Sequence, residues 1–313
     1  MHKIAFIGAG FMASEHIKAF SDIPNVELVG IFSRTKSKAE SLAREFSIRM
    51  VADSIDSLYN QTHADLVIIS VPELSVREVA FQSFKFPWLC LIEKPAGYDY
   101  SDAQKISEAA DALNRKVFVA LNRRQYSSTQ TVLDDLNTIP EKRIIHVLDQ
   151  EDTNAALSAG QPPLVVENWM YANSIHVIDY LLVFGRGKVT KVEKIVKWNP
   201  VNPFFVHAKI EFDSGDIGIY QAVWNAPGPW SVTIGTTSKR WELRPLETAS
   251  FQLYGQRGSE SVPTHIWDHK FKPGIRKQAE MLVNYLDKKP NVQLPTLHDA
   301  LEVMKLTKEI YFD

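Results

Sequence analysis

The sequence contains a single cysteine, Cys90, among its 313 residues. This scarcity excludes an intrachain disulfide and every zinc or iron–sulfur site that needs several thiolates. Cys90 lies in the apolar run 88–92, so it is interpreted as a buried small hydrophobic residue rather than a catalytic thiol. No metal site is predicted.

Long apolar runs and an excess of charge of one sign are also missing. No stretch of about 18 apolar residues occurs, so no transmembrane helix is expected. The apolar run Ile4–Ile7 is too short for a signal peptide, and the interpretation is a cytoplasmic protein. Lysine plus arginine is 35 and aspartate plus glutamate is 37, giving a net charge of -2. This balance gives no sign of a nucleic-acid or membrane surface.

The order of predicted elements changes near Asn122. Before it, short apolar runs alternate with amphipathic helices, which predicts βαβ units and a doubly wound parallel sheet. After it, the predicted elements are a helix at Gln125–Asn137, a strand at Arg143–Gln150 and a loop at Glu151–Pro163. A helix over Tyr171–Phe184 and then a run of strands follow. Two more helices close the chain.

The predicted fold class is therefore α/β with two domains. An N-terminal doubly wound Rossmann domain is expected over residues 1–122. A C-terminal α+β domain, built on an open and mainly antiparallel sheet, is expected over residues 123–313. Its last helix, Leu297–Tyr311, is a candidate for packing against the first domain.

A glycine-rich turn follows the first predicted strand and opens the first predicted helix. The stretch Gly8-Ala9-Gly10-Phe11-Met12-Ala13 fits the dinucleotide-binding pattern G-x-G-x-x-A. Gly8 permits the tight turn, Gly10 lets the backbone approach a pyrophosphate, and Ala13 lets helix and strand pack closely. The helix N-terminus, with Phe11 and Met12 in its first turn, offers free N–H groups to phosphates.

The end of the second strand predicts which dinucleotide is bound. An acidic side chain about 20 residues beyond the glycines would bind the ribose 2′-hydroxyl of NAD. This chain has Ser33 and Arg34 there, with Lys36 and Lys38 close by and no carboxylate. A hydroxyl and several basic groups suit the extra phosphate of NADP, so NADP is expected in preference to NAD.

Two further strand ends lie at the edge where ligands bind in open parallel sheets. Ser70, Val71 and Pro72 lie at the end of the third predicted strand, Leu66–Val71, and are expected to border the cofactor. Glu93-Lys94-Pro95 follows the next one. A lysine at this edge can hold a substrate hydroxyl and exchange its proton, and Glu93 is expected beside the cofactor.

Several motifs occur together in a characteristic order along the chain. They are the turn 8–13 with His16, Glu93-Lys94-Pro95, Asn122-Arg123-Arg124 and His176-Val177-Ile178-Asp179. In this combination the sequence resembles the glucose–fructose oxidoreductase, inositol dehydrogenase and rhizopine-catabolism (Gfo/Idh/MocA) family. The resemblance implies NAD(P)-dependent hydride transfer to or from a secondary alcohol or ketone of a sugar, sugar nucleotide or cyclitol. It also implies homo-oligomers, dimers or tetramers, that form through the C-terminal sheet.

The resemblance assigns roles only at matching positions. Lys94 matches the active-site lysine of the family and His176 its active-site histidine, so both are expected to be catalytic. Asp179 matches an acidic residue one turn later and is expected to orient the imidazole or to contact substrate. Many members carry an aspartate where this chain has Ala172, beside Asn173. The proton relay then falls to Lys94 and His176, or the reaction is a different one.

The remaining substrate contacts are predicted from residue type. Asn173 can hydrogen-bond a substrate but cannot act as a base. Trp169 is expected to stack on a sugar ring, or else to pack at the helix start. Asn122 and Arg123 are expected near the substrate, where Arg123 either binds a phosphate or carboxylate or forms an interdomain salt bridge.

Two other functions remain open at this point. Loss of an acidic residue at Ala172 is compatible with a cofactor-binding sensor or regulatory protein, although Lys94 and His176 argue against it. The second of these functions is that of a different enzyme of the same fold, which acts by NAD-assisted glycoside cleavage or on an aromatic dihydrodiol.

Overall fold

The computed structural model describes residues 1–312, and these divide into two compact units. The first unit comprises Met1–Asn122 and His269–Leu301. The second comprises Arg123–Asp268 and the residues from Glu302 onward. Residues 269–301 are expected from the sequence in the second domain, so their place in the first unit is a difference from the prediction.

The first unit is built on one parallel sheet with the strand order β3-β2-β1-β4-β5-β6. The strands are β1 (His2–Ile7), β2 (Val26–Phe32), β3 (Val51–Ala52), β4 (Leu66–Ile69), β5 (Leu89–Glu93) and β6 (Val117–Ala120). Every residue of β4 and β5 is buried, as expected for parallel strands that helices cover on both faces. The predicted doubly wound fold is confirmed.

Helices connect these strands. They are α1 (Phe11–Ser21), α2 (Lys36–Glu45), α3 (Ile55–Thr62), α4 (Val76–Ser83) and α5 (Tyr100–Ala112). The sequence patterns do not predict α3, α4 or the two-residue strand β3. Cys90, in the middle of β5, is fully buried, and burial raises the pKa of its thiol to about 12. The interpretation of Cys90 as a core residue is confirmed.

The turn after β1 brings the backbone of Gly8 against that of Ser70, the residue after β4. Gly8 has a φ of +107°, and a Cβ built on it would overlap the Ser70 carbonyl oxygen. The Gly8 amide donates to the Phe32 carbonyl at 2.8 Å, and the Ser70 amide donates to the Ile7 carbonyl at 2.8 Å. Only glycine fits this position, because it lacks a Cβ and tolerates positive φ.

The second unit contains one eight-stranded sheet with the order β14-β13-β12-β11-β7-β10-β9-β8. Its strands are β7 (Ile144–Glu151), β8 (Val189–Val196), β9 (Phe205–Phe212), β10 (Ile217–Trp224), β11 (Ser231–Gly235), β12 (Lys239–Leu243), β13 (Ala249–Leu253) and β14 (Glu260–Val262). Pairing is antiparallel except between β7 and β10. Buried and half-exposed residues alternate along β9 and β10, so one face of the sheet carries the core. The predicted mainly antiparallel sheet is confirmed.

The remaining helices follow in chain order. They are α6 (Ser127–Leu136), α7 (Thr153–Ser158), α8 (Pro163–Glu167), α9 (Ile175–Phe184), α10 (Trp267–Lys270), α11 (Ile275–Leu286) and α12 (Leu297–Tyr311). The predicted loop 151–163 is wrong over α7, because the Asp152 carboxylate accepts a hydrogen bond from the Ala155 amide at 2.9 Å and caps a short helix. The predicted helix over 171–184 begins instead with a π-helical turn, Met170–Ser174, before α9.

The segment 269–301 belongs to the first unit because it packs on α1. Helix α11 contacts α1 along its length. The Asp22 carboxylate, at the end of α1, forms ion pairs with Lys270 and with Arg276, each at 2.8 Å. These partners are about 250 residues apart in sequence, so local patterning gives no indication that they meet.

We expect Gly8→Ala to destabilise the protein by more than its positive φ alone explains. A left-handed backbone costs an alanine about 1–2 kcal/mol, and the collision with Ser70 adds an overpacking penalty of about 1–3 kcal/mol. Gly160→Ala is the matched control, since Gly160 has a φ of +83° but nothing within 4 Å of a Cβ. Urea unfolding measures the free energy of unfolding of both variants. Equal losses of this free energy in Gly8→Ala and Gly160→Ala would contradict the close approach at Gly8.

Candidate functional site

The glycine turn lies where the strand order of the parallel sheet reverses, between β1 and β4. Gly10 is the N-cap residue of α1, and no atom lies within 4 Å of a Cβ placed on it. No side chain caps the helix, and its first turn contains no acidic residue. The free N–H groups of this turn therefore form an open cradle that suits an anionic phosphate.

Ser70 lies opposite this cradle and has an unsatisfied polar atom. Its Oγ is buried and has no hydrogen-bond partner. Buried hydroxyl groups without partners are uncommon, and a bound polar ligand would remove the cost. Beyond it, Val71 is half-buried and Pro72 exposed. The free hydroxyl at Ser70 and the open backbone at Gly10 fit the pyrophosphate and ribose of a dinucleotide.

The first turn of α1 presents side chains of three kinds. Ala13 is buried at 1% exposure, as its expected role in close packing requires, Met12 is half-buried, and Phe11 is 69% exposed. The Lys272 ammonium lies 5.6 Å from the centre of the Phe11 ring. This basic group beside the cradle is missed by the sequence analysis, because it comes from the distant segment 269–301.

The residues after β2 form an exposed polar turn. The Ser33 hydroxyl accepts a hydrogen bond from the Thr35 amide at 3.2 Å, and Arg34 donates to the Ser75 hydroxyl at 3.1 Å. Lys36 forms an ion pair with the Asp53 carboxylate at 2.7 Å, whereas Arg34 and Lys38 are exposed. Among residues 1–312, Arg34 and Lys38 thus remain as the two members of the predicted basic cluster that form no ion pair.

Glu93 ends β5 and is buried, with 8% exposure. Its Oε1 lies 2.6 Å from Nε2 of His16, which is itself 1% exposed on α1. Its Oε2 accepts a hydrogen bond from the Lys94 backbone amide at 3.2 Å. The carboxylate predicted to contact cofactor is thus bound within the protein, where it ties α1 to the strand end that bears Lys94. Lys94 itself is only half-buried.

In the second unit, the helical stretch 170–184 presents few side chains to its surroundings. From Met170 to Leu181, only Asn173 and His176 are not buried. They are three residues apart and so lie on one face. The His176 ring lies 6.4 Å from the Trp230 ring, centre to centre. The structure therefore exposes the predicted histidine and asparagine together.

Asp179 has a different environment from the one predicted. It is 3% exposed, and its carboxylate accepts hydrogen bonds from Arg124 at 2.6, 2.9 and 3.1 Å. Such a two-pronged contact between guanidinium and carboxylate is strong and directional. This ion pair holds α9 to the chain after β6, and the predicted contact of Asp179 with the imidazole or with substrate stays a prediction.

Arg123 lies against Trp230, which the sequence analysis did not identify. The guanidinium carbon is 4.3 Å from the centre of the Trp230 ring, and the indole N–H donates to the Gln150 carbonyl at 2.9 Å. Arg123 Nε and Nη1 are buried and have no hydrogen-bond partner. Two unsatisfied N–H groups on a stacked cation suit an anionic or strongly accepting ligand group.

Asn122 and Trp169, which are also predicted to contact substrate, differ in their burial. Asn122 is 5% exposed, and its side-chain amide donates to the Pro273 carbonyl at 3.0 Å, so it fixes the segment 269–301 within the first unit. The predicted contact of Asn122 with substrate stays a prediction. Trp169 is half-buried and precedes the π-helical turn.

Metal and membrane features are absent from the part of the chain that the structure describes. Among residues 1–312, no group of three or more histidine, cysteine, aspartate or glutamate side chains is arranged to hold a metal ion. No helix within these residues has the length and apolar character needed to cross a bilayer.

Comparison with known proteins relates the N-terminal part of the chain to a family. Residues 2–121 match the model of the GFO_IDH_MocA oxidoreductase family, an NAD-binding Rossmann fold. The chain is 30% identical to glucose-6-phosphate 3-dehydrogenase of Bacillus subtilis (strain 168) over 136 residues, which cover 44% of this chain and 38% of that protein. It is 24% identical to inositol 2-dehydrogenase 1 of Paenarthrobacter aurescens (strain TC1), over 61% of this chain and 56% of that protein. The matched region thus spans about two fifths of the length of the Bacillus protein and just over half of the length of the Paenarthrobacter protein.

A solved structure extends the likeness over nearly the whole chain. UDP-N-acetylglucosamine 3-dehydrogenase from Acidithiobacillus ferrooxidans superposes with a TM-score of 0.79 over 99% of this chain and 97% of that one. Its identity of 18% supports a shared fold. Over residues 2–121 the chain therefore matches the Gfo/Idh/MocA oxidoreductase family, and over nearly its whole length it shares the fold of this solved dehydrogenase.

Proposed function

We propose that this protein is an NAD(P)-dependent dehydrogenase or reductase. It acts on a secondary alcohol, or the corresponding ketone, of a sugar, sugar nucleotide or cyclitol. The observation that carries the proposal is the phosphate cradle at the switch point of a family-matched Rossmann fold. The names of the relatives support the substrate class, since they act on a sugar phosphate, an inositol and a sugar nucleotide.

The cofactor would be held by the cradle and by the polar turn after β2. Gly8, Gly10 and the first turn of α1 would face the pyrophosphate, and Ser70 would donate its unsatisfied hydroxyl. A bound nicotinamide supplies the hydride acceptor or donor. Arg34 and Lys38 are proposed to bind a ribose 2′-phosphate, which makes NADP the preferred cofactor.

Lys94 and His176 are proposed as the catalytic residues. Oxidation of a secondary alcohol removes a hydride from the carbinol carbon and a proton from its oxygen. One of these two side chains accepts that proton and returns it to the oxygen in the reverse direction. Ala172 has no group that can take part, so this chain would work without the aspartate that many family members carry there.

The substrate would be bound by side chains with unused polar groups. Arg123 offers two buried N–H groups, which favours a substrate bearing a phosphate or carboxylate. Asn173 lies on the uncovered face beside His176 and is proposed to bind a hydroxyl. Trp169 and Trp230 supply aromatic surface for a sugar ring.

We also propose that copies of the chain associate through the second unit's sheet in the cytoplasm. The face of this sheet away from the core bears half-exposed Ile217, Ile219 and Val223 on β10, with Ile144 of β7 53% exposed. Neighbouring apolar side chains that are exposed on one face of a sheet commonly mark a surface that a partner covers.

We expect Lys94→Met to remove most turnover while cofactor binding is retained. Positioned proton transfer contributes about 10²–10⁴-fold to a rate, so kcat should fall by at least about 100-fold. The assay screens sugar phosphates, sugar nucleotides and polyols by NADPH absorbance, and protein fluorescence gives the cofactor Kd. Lys85→Met, at an exposed lysine of the same unit, is the matched control. Normal turnover by Lys94→Met would exclude this catalytic role.

We expect Arg34→Ala to weaken NADPH binding selectively. Loss of a hydrogen bond to a charged group costs about 1.5–3 kcal/mol, which corresponds to roughly a 10- to 100-fold rise in Kd. NADH, which lacks the 2′-phosphate, should bind the variant as it binds the wild type. Arg49→Ala controls for the loss of an exposed charge in the same unit. The NADP assignment fails if wild-type protein binds NADH more tightly than NADPH.

A further inference from the structure

Two carboxyl groups are buried side by side in the second unit, outside the residues assigned above. Asp149 and Glu151 are two residues apart on β7, so their side chains lie on the same face of the strand. That is the face on which the π-helical turn and α9 pack. Asp149 is 2% exposed and Glu151 is 1% exposed. Burial of two such groups requires compensating partners.

Their partners connect two tyrosines to the uncovered face of the helix. Tyr220 donates to Asp149 Oδ2 at 2.6 Å, and the Tyr220 and Tyr311 hydroxyls are 2.8 Å apart. Glu151 Oε1 accepts from the Ser174 hydroxyl at 3.2 Å, and Glu151 Oε2 accepts from the Asn173 side-chain amide at 2.9 Å. A chain of polar groups therefore ends at Asn173.

Within residues 1–312, neither carboxyl forms an ion pair with a lysine, arginine or histidine side chain. The titratable groups beside the pair include the Tyr220 and Tyr311 hydroxyls. The two carboxyl groups interact directly with each other, and Asp149 Oδ1 has no donor. Two neighbouring buried carboxylates cannot both ionise cheaply, so the pair retains a proton.

Burial raises the pKa of both carboxyls. Burial and the adjacent Asp149 charge raise the pKa of Glu151 well above 4.5. Burial outweighs the hydrogen bond that Asp149 accepts from the Tyr220 hydroxyl, so the pKa of Asp149 is raised as well, although that hydrogen bond favours its charged form. A neutral Glu151 can donate its proton toward Asp149 Oδ1, which supplies the missing donor, while its other oxygen still accepts from Asn173.

We propose that Glu151, buried on β7 and bonded to the Asn173 side-chain amide at 2.9 Å, is a positioning residue that fixes this amide for substrate binding. The amide oxygen and the second amide N–H of Asn173 are left to contact a substrate hydroxyl. This inference rests on the proposed function for its effect on substrate. Deprotonation of the pair would place two negative charges in the same buried space and displace the residues that Glu151 holds.

The test compares Glu151→Gln with Glu151→Leu. Glutamine mimics the neutral carboxyl and keeps an acceptor for Asn173, whereas leucine removes it. For a substrate found in the screen, Glu151→Leu should raise KM about tenfold, the effect of about 1.4 kcal/mol, with kcat and cofactor Kd little changed. Glu151→Gln should remain within about twofold of wild-type KM at neutral pH, since it retains the acceptor. Glu193→Gln, at an exposed residue of β8, is the control.

A double-mutant cycle tests whether Glu151 acts through Asn173. Addition of Asn173→Ala to Glu151→Leu should raise KM no further than either change alone, because both remove the same contact. Independent, additive effects would overturn the proposal. So would equal damage from the glutamine and leucine variants, because a neutral acceptor would then have no value.

Two readouts do not depend on turnover and separate this inference from the proposed function. The side-chain amide signals of Asn173, observed by NMR with ¹⁵N-asparagine labelling, should exchange slowly in wild type and Glu151→Gln, and fast in Glu151→Leu. If no compound is oxidised, the proposed function fails. Slow exchange in all three proteins would instead overturn the positioning role, whatever the enzyme assay shows.

The pH dependence of stability is the second readout. Because the pKa of Glu151 is raised in the folded state, its contribution to stability is fully present below 4.5 and is lost as pH rises through the folded pKa. The unfolding free energy of wild type should therefore fall relative to Glu151→Gln as pH rises above 4.5. A constant difference between the two proteins across this range would show that no proton is retained.

Discussion

The contact between the backbones of Gly8 and Ser70 is the constraint on which the first unit's binding edge depends. It leaves no room for a Cβ, and so it allows the chain to leave β1 directly beside the end of β4. The N-terminus of α1 then opens at the point where the strand order reverses. Any other residue would force these two strand ends apart and remove the cradle.

A hydrogen bond between α1 and β5 fixes the position of this helix relative to the next strand of the sheet. His16, one turn and a half into α1, bonds to Glu93 at the end of β5. The helix that presents free N–H groups is thereby tied to the strand that presents Lys94. The His16 and Glu93 side chains are only 1% and 10% exposed, so packing as well as the hydrogen bond holds the geometry of this pair.

In the second unit, polar contacts near both ends of the helical stretch 170–184 fix its position. Arg124 binds Asp179 near one end, and Glu151 binds Asn173 and Ser174 near the other. These polar contacts lie among apolar packing that buries most of the stretch. The π-helical turn at 170–174 widens the backbone where Asn173 lies, and such turns are frequent at functional sites. Two polar side chains remain uncovered as a result.

The sequence by itself determined the features that depend on neighbours along the chain. The strand–turn–helix pattern identified Gly8, Gly10 and Ala13, and apolar periodicity identified most strands and helices. Tertiary structure decided which polar groups are already bound. Glu93, Asn122 and Asp179 look like ligands in sequence but are bound to His16, Pro273 and Arg124, whereas Trp230 and Glu151 gave no signal. The physical reason is that a polar side chain is free or satisfied according to partners brought by folding, and these partners lie 55 to 151 residues away.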